Sequence, residues 1–276
     1  MKAYVLMLSA VAVVCMACGG SKSSVTTFTD SRDGKVYKIV QIGSQVWFAE
    51  NLNYAASGSK CYGEDGEVLV PARENGYSNK KTLSAAKVKA NCGKYGRMYD
   101  LETAMEACPA GFHLPTANEW NTLVFYLGGQ NIAGDKLKSK RGWHNYPGHW
   151  LAAIENWSWE EICDFLGCPD DGNGTDDYGF SALPGGYRDA FDGKFFQLGY
   201  TGYWLSHNAN DTCPVWVWAL ENEYSRVQVS RWCWMEDDVM LRIVEESEDS
   251  VSRAKAAWWK AGNRRMDLFS VRCVKD

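Results

Sequence analysis

Hydrophobic residues recur at helical spacing in two stretches of the chain. In residues 101–108, apolar side chains fall at positions i, i+3, i+4 and i+7, and Asp100 stands before them as an N-cap. In the second stretch, Thr116 and Glu119 have the spacing of a capping box. The apolar face that follows this box is formed by Trp120, Leu123, Val124 and Leu127. The pattern therefore predicts a helix in each stretch, and a Gly-Gly pair ends the second.

Shorter apolar runs that are separated by turn residues predict β-strands. Residues 35–52 indicate a hairpin around a Gly43-Ser44 turn. Residues 178–206 indicate strands with glycine-rich turns between them. Residues 268–276 indicate a final strand, with one apolar face formed by Phe269, Val271 and Cys273.

The clearest hairpin covers residues 213–234. If its turn is centred on Glu223, Cys213 faces Cys233, and a disulfide between them would close the open end. The same register places four indoles on one face, because their positions share the same parity. These are Trp216, Trp218, Trp232 and Trp234.

The N-terminal segment has the pattern of an export signal. Lys2 precedes an apolar stretch that is too short to span a bilayer as a helix. Cys18 follows small residues and precedes a tether rich in Gly and Ser, which is typical of bacterial lipoproteins. We therefore expect a signal peptide (1–17), a lipidated cysteine with its tether (18–27) and a single domain (28–276). Plain secretion after ordinary cleavage is the alternative.

The expected location follows from this signal. A lipid on Cys18 would anchor the protein to a membrane at the bacterial outer membrane or cell surface. The periplasmic face and secretion are the alternatives. The composition, with 46% hydrophobic residues, is that of a globular protein, and the net charge is −5. Because no basic stripe is present, we expect no nucleic-acid partner.

The cysteine content also indicates export. Of ten cysteines, Cys15 lies in the signal and Cys18 would carry the lipid. An even remainder in an exported protein predicts four disulfides, although spacing alone does not determine their connectivity. Zinc binding is the weaker alternative, since no CxxC motif occurs and the histidines are scattered. The disulfide candidates are Cys61, Cys92, Cys108, Cys163, Cys168, Cys213, Cys233 and Cys273.

Several ordered motifs resemble one known family. They are "GFHLPTANEW", "YGFSALPGGYR", "GYW", "FSVRCVKD" and the opening "FTDSRDGKVYKIVQIGSQVWFAENLNY". Together they resemble the Fibrobacter succinogenes major paralogous domain, over nearly all of residues 28–276. Residues 142–169 and 235–265 are longer and richer in Trp than the usual pattern, so we interpret both as insertions.

That family is similar to C-type lectin-like folds, including the formylglycine-generating enzyme branch. The resemblance implies an α+β domain that has two main helices, a twisted antiparallel sheet and long loops. It also implies a disulfide from a helix to the last strand, here Cys108–Cys273. Cys61–Cys92 is then plausible, which leaves two further pairs, Cys163–Cys168 and Cys213–Cys233. The family supplies no established activity.

The leading functional hypothesis is a non-enzymatic surface module that binds polysaccharide, because indole faces stack on the C–H surfaces of sugars. Core packing is the alternative for every aromatic residue, and we expect it for Trp216 and Trp218. A structural envelope protein without a small ligand, or one that contacts another envelope protein, is a second hypothesis. The ligand-binding candidates are Trp143, Trp150, Trp157, Trp159, Trp232 and Trp234.

An enzyme of the formylglycine-generating type is a third and weaker hypothesis. We expect no enzymatic activity, because disulfides explain the cysteines more simply and no HExxH, GxSxG or P-loop motif is present. Arg188 and Arg272 fit structural ion pairs better than ligand binding.

Calcium is the one cofactor for which the sequence offers candidate ligands. Residues 169–177 are acidic, but they depart from the EF-hand pattern where Gly and the bidentate Glu belong. We therefore favour a solvated turn and expect no cofactor. The weak calcium candidates are Asp170, Asp171, Asn173, Asp176 and Asp177.

Overall fold

The computed structural model describes residues 25–72, 76–144, 172–208, 214–232 and 267–276. Within these ranges the chain is a mixed α+β structure with four helices and fourteen strands, which confirms the predicted class. The helices are α1 (Ala85–Tyr95), α2 (Leu101–Ala107), α3 (Ala117–Tyr126) and α4 (Gln130–Leu137).

Three sheets organise the strands. The first is antiparallel and has the order β1 (Val25–Thr29), β2 (Val36–Ile42), β3 (Gln45–Phe48), β14 (Val274–Lys275) and β7 (Phe112–His113). The second has the order β12 (Val227–Trp232), β11 (Val215–Glu221), β10 (Thr201–His207), β13 (Phe269–Ser270) and β6 (Met98–Tyr99). The third has the order β5 (Gly76–Thr82), β4 (Glu67–Ala72), β9 (Phe195–Phe196) and β8 (Tyr187–Arg188).

The capping box of α3 forms as predicted. The Glu119 N–H donates to Thr116 Oγ1 at 3.2 Å, and the Thr116 N–H donates to Glu119 Oε2 at 2.8 Å. The buried side of the helix carries Trp120, Leu123 and Val124. In α2, Asp100 accepts from the Thr103 N–H at 2.8 Å, so its predicted N-cap is also confirmed.

The expectation of two main helices is wrong for the described residues, which contain four. Helix α1 has a Ser84 N-cap, but among its residues only Asn91 and Tyr95 are buried, so it lacks the apolar stripe that marks a core helix. Helix α4 starts directly after the Gly128-Gly129 turn, where both glycines have positive φ and reverse the chain.

The β11–β12 hairpin is confirmed, but its register is one residue away from the prediction. Val215 pairs with Trp232, and the last pair is Leu220 with Val227. The loop between Leu220 and Val227 has six residues, so its centre lies between two residues and not on Glu223. Opposed residues share a face, so Trp218 shares its face with Val229 and not with Trp232. The predicted face of four tryptophans is therefore wrong.

The second sheet is buried on both faces. On one face, Trp204, Trp218 and Leu220 pack in one cluster with Trp120 and Leu123 of α3. On the other face, the packing residues are Leu205, Val215, Val217, Phe48 and Phe112. The protein core thus forms two layers that are separated by this sheet.

The C-terminal segment joins the two larger sheets. It forms β13 in the second sheet and β14 in the first, so the predicted single strand is interrupted. Its predicted apolar face is confirmed, because Phe269, Val271 and Cys273 are all buried in the same cluster. Arg272 lies between the two strands and is fully buried.

Two of the predicted disulfides are present. Cys108–Cys273 connects the C-terminal end of α2 to the residue before β14, with a Cα–Cα distance of 5.8 Å. Cys61–Cys92 connects the segment after β3 to α1, with a Cα–Cα distance of 5.0 Å. The other four candidates lie outside the described residues, namely Cys163, Cys168, Cys213 and Cys233.

The predicted division into signal, tether and one domain stays a prediction. Cys18 and the rest of residues 1–24 lie outside the described residues, as do all of the second insertion (235–265) and residues 145–169 of the first. No described helix has both the length and the apolar character needed to cross a membrane.

Candidate ligand-binding site

Trp143 is the one inserted tryptophan that the structure describes, and of its two alternatives, a ligand-binding ring or a core residue, the structure shows the second. Its side chain is 0% exposed and belongs to the cluster around α3 and α4. Its indole N–H donates to Ser139 Oγ at 3.1 Å and to the Ala182 carbonyl at 3.0 Å. Because its ring is enclosed and its polar atom is bonded, Trp143 is a core residue.

The remaining tryptophan candidates are not tested by the structure. Trp232 ends β12, but its side chain is not among the described ones. Three others in the first insertion and one after β12 lie outside the described residues: Trp150, Trp157, Trp159 and Trp234.

The described calcium candidates take part in local hydrogen bonds. Asn173 Oδ1 accepts from the Trp143 N–H at 3.1 Å. Asp176 accepts from the Ser181 N–H at 2.8 Å and from its hydroxyl at 2.7 Å, while Asp177 is exposed. No group of three or more His, Cys, Asp or Glu in the described ranges is placed to hold a metal. Asp170 and Asp171 lie outside them, and the expectation of no cofactor, with calcium as the weaker alternative, stays a prediction.

An open cleft of about 690 Å³ lies beside the first sheet. One wall comes from the start of β2 (35–38), and another comes from the chain after β3 (49–53). The C-terminal end of α1 (92–96), residues from the loop 179–183, Val25 and Ser139 complete it. The cleft therefore joins parts of the chain that are far apart in sequence.

The floor of the cleft is fixed by a buried network around Asn51. The Asn51 side-chain oxygen accepts from Trp204 Nε1 and from Arg272 Nε, both at 2.9 Å. Its amide donates to the Tyr95 carbonyl at 2.8 Å, which ties the floor to α1. Since every partner is buried, Asn51 presents a rigid surface to the cleft.

Arg272 lies directly beneath this floor. Its guanidinium donates to Asn51, to the Phe180 carbonyl and, at 2.9 Å, to the Ser181 carbonyl. Among the described residues its partners are neutral oxygens and no carboxylate, so the interpretation as an ion-pair residue is corrected there. Burial lowers the pKa of Arg272 to about 9, and the charges of Asp176 and Glu50 oppose that effect. The group is therefore still a cation at neutral pH.

The charged side chains that line the cleft are three lysines and one glutamate. Lys38 Nζ lies 4.0 Å from Glu50 Oε1, and both side chains are largely exposed. Lys35 pairs with Asp33 at 3.2 Å and donates to the Asn53 carbonyl. Lys94 lies in the last turn of α1. The lining thus combines cations with amide, hydroxyl and carbonyl groups, which suits a polar ligand.

Two tyrosine rings that touch each other lie near the Gly179 end of the cleft, outside its lining, and only Tyr126 is exposed, since Tyr178 is half-buried against the core. Tyr178 precedes this lining glycine, and its ring makes an edge contact with Tyr126, with ring centroids 5.8 Å apart. Tyr126 is 53% exposed and rests against Gly43, where a Cβ atom would lie 3.0 Å from the ring. Phe125, at 85%, is also exposed on α3. We call Tyr126 and Tyr178 the tyrosine rim.

The sequence contains a signal for exposed aromatic rings on α3. Phe125 and Tyr126 fall outside the apolar face of α3, so two neighbouring aromatic rings had to lie on its polar side. The cleft itself had no such local signal, because its lining comes from six separate parts of the chain.

Comparison with known proteins gives one result about ancestry. The model of the Fibrobacter succinogenes major domain matches residues 40–275. No curated protein and no solved structure matches the chain.

Proposed function

The chain belongs to the Fibrobacter succinogenes major domain family, and we propose that it is a non-enzymatic module that binds polysaccharide at the cleft. In this proposal the tyrosine rim stacks on sugar rings, and the polar lining bonds to their hydroxyl groups. We also propose that the module is exported and anchored by a lipid on Cys18.

The observation that carries the proposal is the tyrosine rim beside a polar cleft. A tyrosine ring offers an apolar face to sugar C–H groups and a hydroxyl for hydrogen bonding. Tyr126 is held by Gly43 and Tyr178, so little side-chain freedom would be lost on binding. Asn53 and Ser181 line the adjoining cleft and supply groups that can bond to sugar hydroxyls.

We further propose that the domain is related to C-type lectin-like folds. The disulfide from α2 to the last strand supports this relation, as does the combination of helices with largely antiparallel sheets. In such an arrangement the sheets and disulfides hold the scaffold, and the loops and helix ends are free to carry a ligand site.

The direct test is binding by the purified full-length protein in detergent. Retention on insoluble cellulose and xylan, and retardation in gels that contain soluble polysaccharides, would measure it. We expect retention by at least one polymer, and a loss of about fivefold in affinity for Tyr126→Ala, since stacking of one ring contributes about 1 kcal/mol.

The matched control is Tyr224→Ala. Tyr224 is also exposed, at 42%, but it lies in the β11–β12 turn and does not line the cleft. This variant is expected to bind as the wild-type protein does. Retention by none of the polymers would contradict the proposal and favour a structural envelope protein, for which the exposed Phe125 would be a contact with another protein.

A further inference from the structure

We propose that the polysaccharide bound at the cleft is acidic and carries carboxylate groups, as uronate polymers do. This inference rests on the proposed function, because it names the ligand class of the same site. It depends on the balance of charge in the cleft, which differs in sign from that of the whole protein.

The side chains that line the cleft carry an excess of positive charge. Lys35, Lys38 and Lys94 face a single acidic residue, Glu50, whereas the whole chain has a net charge of −5. A second depression, of about 770 Å³, shows the contrast, because its three carboxylates outnumber its two cations. They are Glu64, Asp65 and Glu67 against Lys89 and Arg97. The excess of cations is therefore local to the cleft and is not a general property of the surface.

Two of the three lysines are available to a ligand. Lys38 Nζ is 4.0 Å from Glu50 Oε1, which is the outer limit of an ion pair, and the Lys38 backbone N–H already donates to the other carboxylate oxygen at 3.0 Å. Lys94 lies over the Tyr95 ring at 4.8 Å, which keeps its ammonium group at the end of α1. Lys35 is engaged with Asp33 and Asn53, so we assign it a smaller part.

A buried cation beneath the floor of the cleft adds to the positive electrostatic potential of the lysines. Arg272 touches two residues of the cleft lining, Asn51 and Ser181, and its hydrogen bonds go to neutral oxygens. Asp176 and Glu50 act on it from a greater distance and reduce its effect. Fixed charge beneath a low-dielectric floor raises the local concentration of anions above the cleft.

The geometry therefore combines two requirements of an acidic sugar chain. The tyrosine rim would contact the ring of one sugar unit, and Lys38 and Lys94 would bind carboxylates along the cleft. A neutral sugar chain would use only the first contact, so the lysines would give it no advantage.

The test compares polygalacturonate with its fully methyl-esterified form, which has the same backbone without the charge. In low salt we expect the protein to bind polygalacturonate about tenfold more tightly, and to lose most of this preference at 0.3 M salt through screening. Lys38→Gln combined with Lys94→Gln should remove the preference as well, while leaving weak binding to the ester. Arginine at both positions should retain it.

The control variant is Lys89→Gln, which removes a lysine from the lining of the second depression and should leave the preference unchanged. Equal binding of both polymers, unaffected by the lysine substitutions, would overturn this inference and leave the proposed function intact. If the protein binds none of the four polymers (polygalacturonate, its methyl ester, cellulose and xylan), this inference and the proposed function are both overturned. Binding only to vesicles that contain 30% anionic lipid would overturn the assignment to a polysaccharide and indicate a membrane surface.

Discussion

One helix, α3, supplies aromatic residues to two regions with opposite environments. Trp120 points inward and stacks on Trp218, with ring centroids 5.3 Å apart and an angle of 12° between the planes. Five residues along, Phe125 and Tyr126 are exposed. Every fully described tryptophan except Trp216 is buried, whereas the exposed rings near the cleft are tyrosine and phenylalanine. Phenylalanine and tyrosine rings occur in both environments, because Phe180 and Tyr99 are buried as well. The position of a ring in the fold, more than its chemical type, therefore decides whether it supports the fold or can meet a ligand.

The largest effect is expected in the buried region. Trp120→Ala removes a ring that contacts Trp47, Trp204, Trp218 and Phe180, and it leaves a cavity in the core. We expect the free energy of unfolding to fall by about 3–5 kcal/mol, as measured by urea denaturation. Phe125→Ala on the same helix should change it by less than about 0.5 kcal/mol. Similar losses in the two variants would remove the distinction between the regions.

A smaller effect on stability is expected for the buried Arg272 and its hydrogen bonds. Arg272→Met would leave the carbonyl groups of Phe180 and Ser181 without the donor that the fully buried Arg272 supplies. Unpaired buried acceptors cost about 1–3 kcal/mol each, and relief from burying the charge offsets part of this cost. We expect a net loss of about 2 kcal/mol in urea denaturation. Arg226→Met, in the exposed β11–β12 turn, is the control; an unchanged stability for Arg272→Met would contradict this assignment.

The smallest effect concerns pH, at the N-terminal end of α3. Burial, followed by the charge of His113, lowers the pKa of His207, while Glu119 acts in the opposite direction. The unfolded chain therefore binds a proton at His207 before the folded chain does. Stability from this group is complete above pH 6.5 and falls as the pH drops below it. His207→Gln should make the stability curve between pH 7.5 and 5 flatter, and a steeper curve would refute this view.

Local features of the fold could be predicted from the sequence, and features that depend on long-range packing could not. The capping box of α3 needs only Thr116 and Glu119, so its spacing identifies it. The burial of Trp143 depends on Ser139 and on Ala182, which lies 39 positions away, so no local pattern shows it.

The hairpin register, one disulfide and the cleft also could not be predicted from local sequence patterns. The β11–β12 register depends on a loop whose length the alternation of residues does not determine. The pairing of Cys108 with Cys273, which are 165 positions apart, could be predicted only through the resemblance to the family. The cleft could not be predicted at all, because its lining forms only when six separate parts of the chain come together.

The most direct test of the account is a ¹⁹F NMR titration of the protein labelled with 3-fluorotyrosine and 5-fluorotryptophan. Single Tyr→Phe and Trp→Phe variants would assign the signals, and a polymer retained in the binding assays would be the ligand. The account predicts that Tyr126 and Tyr178 shift, while Tyr224 and the buried Trp47, Trp120, Trp143, Trp204 and Trp218 do not. A titration that shifts only tryptophan signals, including those of Trp150, Trp157 and Trp159, and leaves both rim tyrosines unchanged would contradict it.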